Sequence, residues 1–140
     1  MTPDSFGSTL QALARAHRGR LSALLAPHGL HAGQELLLLA VWDAPGVRQS
    51  QLADHLGVER PTVTRMVQRL ERAGMLERRR DPDDARAMLV FPSARSRLIE
   101  STVRRTWSLL DDELEAALGV HAAIWQRATA SAAGTFGDPG

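Results

Sequence analysis

The chain has 140 residues, 44% of them hydrophobic and 24% charged, with no cysteine and a formal net charge of +1. That length suits one domain rather than several, and that apolar content excludes wholesale disorder. The absence of cysteine excludes disulfides, thiolate metal centres and cysteine nucleophiles or redox sensors.

The first residues, Met1-Thr2-Pro3-Asp4-Ser5, carry no basic, apolar leader, and the longest apolar run is Leu36 to Trp42. A membrane helix needs about 20 such residues. The expectation is therefore a cytoplasmic protein with no membrane partner. Phe6, Leu10, Leu13, His17, Leu21 and Leu24 recur every three or four residues and predict a first helix over Ser5 to Leu25, ended by Pro27 and Gly29. A second helix is predicted over Ala32 to Trp42, apolar all round and so buried on most sides. Asp43-Ala44-Pro45-Gly46 reads as a turn. A short third helix spans Ser50 to Leu56, with Leu52, Ala53 and Leu56 inward and Gln51 and Asp54 outward. After a tight turn at Gly57-Val58, a fourth helix begins near Arg60, with Pro61 in the first turn, where a missing N–H costs little. Val63, Met66, Val67 and Leu70 form its inner stripe, and Gly74 stops it. The period then shortens, so that Met75 to Arg80 and Arg86 to Phe91 read as two strands around Asp81-Pro82-Asp83-Asp84-Ala85. Ser93 is placed to cap a fifth helix, whose stripe is Ile99, Val103, Thr106, Leu110 and Leu114, and whose Glu100 and Arg104 can pair. A sixth helix covers His121 to Ala133, and the Gly/Pro-rich stretch from Gly134 to Gly140 is expected to fray. The fold class is mainly α with a small β-wing, in the order ααααββαα.

All 17 basic residues are arginine. Between Arg60 and Arg80 lie seven arginines against two glutamates, a local excess of five positive charges, whereas Asp111-Asp112-Glu113-Leu114-Glu115 is acidic. The near-neutral total hides a basic centre, which points to a polyanion. The third and fourth helices make a helix-turn-helix by pattern. The outward face of the fourth carries Thr62, Thr64, Arg65, Gln68, Arg69 and Arg72. Arg65 and Arg69 can each donate two parallel bonds to guanine, Gln68 can pair with adenine, and Thr62 and Thr64 can reach a phosphate or a thymine methyl. Backbone N–H groups near Ser50 and Gln51 suit a phosphate. Arg78, Arg79 and Arg80 lie on the first strand and Arg86 just past the hairpin tip, suited to a narrow minor groove, with Asp84 placed to hold Arg86 by an ion pair. An Arg-rich amphipathic helix alone is as well explained by a solvated face. The succession of all these features between Ser50 and Arg86 points instead to duplex DNA.

Four stretches carry a resemblance: Gln51-Leu52-Ala53-Asp54-His55-Leu56-Gly57-Val58, Pro61-Thr62-Val63-Thr64-Arg65-Met66-Val67, Leu70-Glu71-Arg72-Ala73-Gly74-Met75-Leu76-Glu77-Arg78 and Asp81-Pro82-Asp83-Asp84-Ala85-Arg86. Together they resemble the MarR family of bacterial winged helix-turn-helix regulators. His28-Gly29-Leu30 followed by Gln34 matches the start of that family's second helix, so the resemblance spans nearly the whole chain. It implies a homodimer, with residues 5–30 and 93–133 as interlocking dimerisation helices around a DNA-binding lobe over 31–92. It also implies a palindromic operator and repression relieved by a small-molecule effector, with Asp84 and Arg86 as the wing's Asp-x-Arg signature. The chain departs from the pattern after the second wing strand. The family usually has a Leu-Thr pair there and a Gly three residues later, where this chain has Pro92, Ser93 and Ser96, which implies a stiffer hinge.

On this reading Arg65, Gln68 and Thr64 read bases, Ser50, Arg60, Thr62 and Arg69 hold phosphates, and Arg86 enters the minor groove. Pro61, Arg79 and Asp84 complete the interface. Unused apolar surface on the first helix, and Trp107, Ile124 and Trp125 in the terminal helices, independently call for a second chain. His17 lies on an apolar stripe and is either a packed residue or, with Trp42, the lining of an effector pocket. His28, His31 and Glu35 stand at i, i+3 and i+7, but the Pro27/Gly29 break spoils that spacing for zinc, so no metal and no cofactor is expected. Ser93, Ser96, Ser101 and Ser108 lack a Gly-rich elbow, and no dinucleotide or P-loop motif occurs, so the chain is not expected to be an enzyme. Two other readings stay open: a winged-helix protein-interaction module whose docking face includes residues 111–115, and a small enzyme or metal-responsive regulator built on His28, His31 and Glu35.

Overall fold

The computed structural model describes residues 5–137. Ser5 starts α1 (Phe6–Leu25), its hydroxyl accepting the Ser8 N–H at 3.2 Å. Only Leu21 and Leu25 of this helix are buried, whereas Phe6 is 79% exposed. The predicted stripe is thus covered at its C-terminal end and open to solvent at its start. A 3-10 turn over Ala26–His28 follows and ends at Gly29, whose φ of 72° is left-handed.

Helix α2 (Gln34–Asp43) starts two residues later than the periodicity suggests, because Gly33 takes a φ of 103° that breaks the helix before it. Leu37, Leu38 and Val41 are fully buried, although Leu36 on the same helix reaches solvent. Glu35 is also fully buried. One carboxylate oxygen accepts the Gly33 N–H at 2.6 Å, and the other has no hydrogen-bond partner among the described residues. Burial pushes the Glu35 carboxyl above the usual carboxylate range, against the opposing pull of the backbone N–H groups and the Arg18 and His17 charges. A folded-state pKa raised in this way gives stability that is fully present below the unfolded value and lost as pH rises through the folded one. Glu35→Gln removes that loss. Its unfolding free energy is expected to stay flatter than the wild type's from mildly acidic to neutral pH, as urea titrations at several pH values would show. A wild-type curve equally flat would contradict it.

A strand the sequence reading omits, β1 (Val47–Arg48), precedes α3 (Gln49–Leu56). Two residues are too few to show any period. Gly57 closes α3 at a φ of 64°, its N–H reaching the carbonyls of Ala53 and Asp54, and α4 (Arg60–Arg72) follows with Glu59 as N-cap. Leu52, Ala53, Val63, Val67 and Leu70 are buried between these helices and their neighbours, each large side chain being worth about 1.5–3 kcal/mol. Strands β2 (Leu76–Arg80) and β3 (Met88–Pro92) pair antiparallel from Leu76↔Pro92 to Arg80↔Met88. β1 joins the far edge of β3 through Val47↔Val90, so the sheet has three strands, in the order β1-β3-β2. The second wing strand therefore begins at Met88 and not at Arg86, which lies in the preceding turn.

Helix α5 runs over Ala94–Leu118, and Ser93 accepts the Ser96 N–H at 3.0 Å, the capping role its position suggests. Arg104 bonds Glu100 at 3.1 Å and Asp43 at 2.6 Å, tying the end of α2 to α5. After a 3-10 turn over Gly119–His121, α6 (Ala122–Phe136) extends three residues beyond the expected end at Ala133, and residues 138–140 of the stretch expected to fray lie outside the described residues. The chain divides into two compact units, one ending at Thr106 and one beginning at Trp107. The second unit has a bare apolar surface: α6 buries no residue, and Ile124 is 63%, Val120 89% and Phe136 96% exposed.

Candidate nucleic-acid interface

The inner stripe of α4 fixes which residues face away from the core. With Val63, Val67 and Leu70 buried, Pro61, Arg65, Arg69 and Arg72 are exposed and Thr62, Thr64 and Gln68 half-buried. The wing stands beside the start of this helix. Arg48, Ser50, Arg60, Thr64, Asp84 and Arg86 line a cleft of about 330 Å³ between them. Three arginines and Ser50, in the first turn of α3, thus line one cleft next to the exposed arginines of α4. Such a groove accommodates a chain of phosphates, while the helix beside it is free to enter a major groove.

The wing turn is built by its aspartates. Asp84 accepts the Arg86 backbone N–H at 3.1 Å, and its carbonyl accepts the Ala87 N–H at 2.9 Å. The ion pair expected between Asp84 and the Arg86 guanidinium does not form, because the carboxylate is taken by the backbone two residues on, the usual Asx-turn geometry. Arg86 itself is exposed. The ion pair in the turn joins Asp81 to Arg48 at 2.6 Å, with Asp81 also accepting the Asp83 N–H at 2.9 Å. Arg48 ends β1 directly before α3, so this contact fastens the wing to the helix-turn-helix. Sequence reasoning missed Arg48. Its signal was an arginine just before the third helix and an aspartate opening the wing turn, but nothing local couples positions 33 apart.

The Asp83 N–H, and after it Arg48, hold the Asp81 carboxyl below its usual range. A depressed folded-state pKa gives stability that is present above the unfolded value and lost as pH falls through the folded one. Asp81→Asn should therefore speed amide exchange at Asp83 and Ala87 at neutral pH without melting the helices. Acidification of the wild type should reproduce the effect below the usual carboxylate range. Unchanged exchange in the variant would contradict this role for Asp81.

Several predicted contacts are engaged within the protein. Thr64 accepts from Gln49 Nε2 at 3.2 Å and donates to the Arg60 carbonyl at 3.0 Å, so its hydroxyl positions α3 against α4. Arg78 pairs with Glu71. Arg79 lies 4.5 Å over the Phe91 ring and 3.3 Å from Glu77. Arg80 donates to the Ala85 carbonyl at 2.9 Å. Trp42, weighed as a pocket residue, is buried in the core, and its Nε1 donates to Ser96 at 3.2 Å. His17 is half-buried on α1. Glu35 turns inward while His31 is exposed, and among the described residues no cluster of histidines and carboxylates could hold a metal ion. No helix there is long and apolar enough to cross a membrane.

Comparison with known proteins finds the MarR family model matching residues 30–88. The HTH-type transcriptional regulator TtmR of Methylorubrum extorquens (strain PA1) is 34% identical over 86 residues, which is 61% of this chain and 42% of that protein. The chain spans about half the length of the curated relatives it matches. A crystal structure of MarR superposes with a TM-score of 0.77 at 25% identity, covering 94% of this chain and 90% of that one. The transcriptional repressor CouR, bound to a 23-mer DNA duplex, superposes with a TM-score of 0.81 over 99% of both chains. At 23% identity that second likeness is one of fold.

Proposed function

We propose that this chain, whose residues 30–88 match the MarR family model, is a sequence-specific, double-stranded-DNA-binding transcriptional regulator acting as a homodimeric repressor on a palindromic operator. The observation that carries the reading is the row of exposed arginines on α4 beside the Arg86 wing, across a cleft lined by Arg48 and Arg60. Arg65 and Gln68 read base edges, Ser50, Arg60, Thr62 and Arg69 hold phosphates, and Arg86 reaches the minor groove. The apolar residues left bare at the start of α1 and on α6 support pairing with a second copy. A small-molecule effector that relieves repression belongs to the same reading, with the half-buried His17 as its candidate contact. A cytoplasmic location belongs to the same reading.

Selection of bound duplexes from a random pool tests the proposal. A two-fold-symmetric consensus is expected, with half-site centres about 34–36 Å apart along the duplex. Enrichment of an asymmetric single site removes the dimer, and no enrichment removes the DNA function.

A further inference from the structure

Ser96 occupies the junction of three elements. It is fully buried. Its hydroxyl accepts the Trp42 Nε1–H of α2 at 3.2 Å and donates to the Ser93 carbonyl at 2.9 Å. Its N–H donates to the Ser93 hydroxyl, which in turn donates to the Gly74 carbonyl at 2.6 Å. The Ser93 N–H reaches the Met75 carbonyl at 3.1 Å, and Arg95 reaches the Ala73 carbonyl at 3.0 Å. A continuous set of hydrogen bonds thus runs from α2, through the first turn of α5, to the residues that end α4 and open the wing. A glycine at position 96 would leave the indole N–H without that partner.

We infer that Ser96 is a positioning residue that sets the angle at which α4 and the wing are presented to DNA, by fastening both to α2 through Trp42. The inference rests on the DNA-reading function proposed above. Bidentate base contacts need guanidinium groups held to a fraction of an ångström, whereas phosphate contacts tolerate small displacements. Loosening this junction should therefore blur base discrimination while leaving the electrostatic part of binding intact.

The test measures full-chain Ser96→Gly and Trp42→Phe against a selected duplex and a single-base variant of it, by fluorescence anisotropy. Phe fills most of the indole's space without its N–H, so it keeps the test open should the glycine variant fold poorly. The ratio of the two affinities is expected to fall about five-fold in each variant, which is the scale of one buried hydrogen bond. The salt slope should be unchanged, and the double variant should fall no further than the singles. A merely structural Ser96 would lower the melting temperature and leave the ratio at its wild-type value, which overturns the inference. A wild-type chain that shows no base preference at all overturns the DNA-reading function itself and is distinguishable from that result.

Discussion

On the DNA-binding function proposed above, raising the salt from about 50 to about 200 mM is expected to weaken the operator complex by about four orders of magnitude. The expectation follows from which arginines are free. Arg48, Arg78, Arg79, Arg97 and Arg104 sit in ion pairs, whereas among the described residues Arg60, Arg65, Arg69, Arg72 and Arg86 have no carboxylate within bridging distance. With Arg65 on a base, Arg60, Arg69 and Arg72 neutralise phosphates and Arg86 the phosphate charge concentrated across the narrow minor groove, about eight charges in a two-chain complex. Each neutralised phosphate releases counterion, so the logarithm of affinity falls against the logarithm of salt with a slope of about −7. Anisotropy titrations across that range supply the slope. A nearly flat line would favour the protein-interaction reading of the same fold, because a docking surface that meets no polyanion releases few ions.

Arg65→Ala is the other large effect, costing the cognate complex about 1–3 kcal/mol and relaxing specificity at one base position. Arg65 is exposed on α4 between Val63 and Val67, both fully buried, so its Cα is fixed by core packing even though its side chain is free. Such support is what a bidentate bond to guanine requires. Arg65→Lys sharpens the test, since an ammonium keeps the charge but cannot make the planar fork. The lysine variant should hold the salt slope and lose discrimination. A uniform loss over all sequences in the alanine variant would make Arg65 a phosphate contact.

The helix-turn-helix was legible in the sequence because its determinants are neighbours: the Val63, Val67 and Leu70 stripe, the left-handed Gly57 and the Pro61 start. Each acts within one or two turns of backbone, and the structure places α3 and α4 where those signals put them. The Ser93 cap and the Glu100–Arg104 pair were legible for the same reason. Contacts made by tertiary approach were not. The Arg48–Asp81 pair, the Trp42–Ser96 bond and the stacking of Arg79 on Phe91 each join residues that no periodicity couples. Net charge was similarly coarse. The arginine cluster read as a uniform basic head, whereas pairing with Glu71 and Glu77 leaves the free positive charge on the exposed face of α4, at Arg80 and at Arg86.

The uncovered apolar side chains at the two ends of the chain, Phe6 on α1 and Ile124 and Phe136 on α6, bear on dose. If two chains must associate before DNA is engaged, the competent species grows with the square of chain concentration wherever single chains predominate. Halving the amount of protein then cuts that species about four-fold rather than two-fold. Occupancy of the operator accordingly responds over a narrower range of expression than a single-chain binder would allow, and the melting temperature of the protein rises with its own concentration.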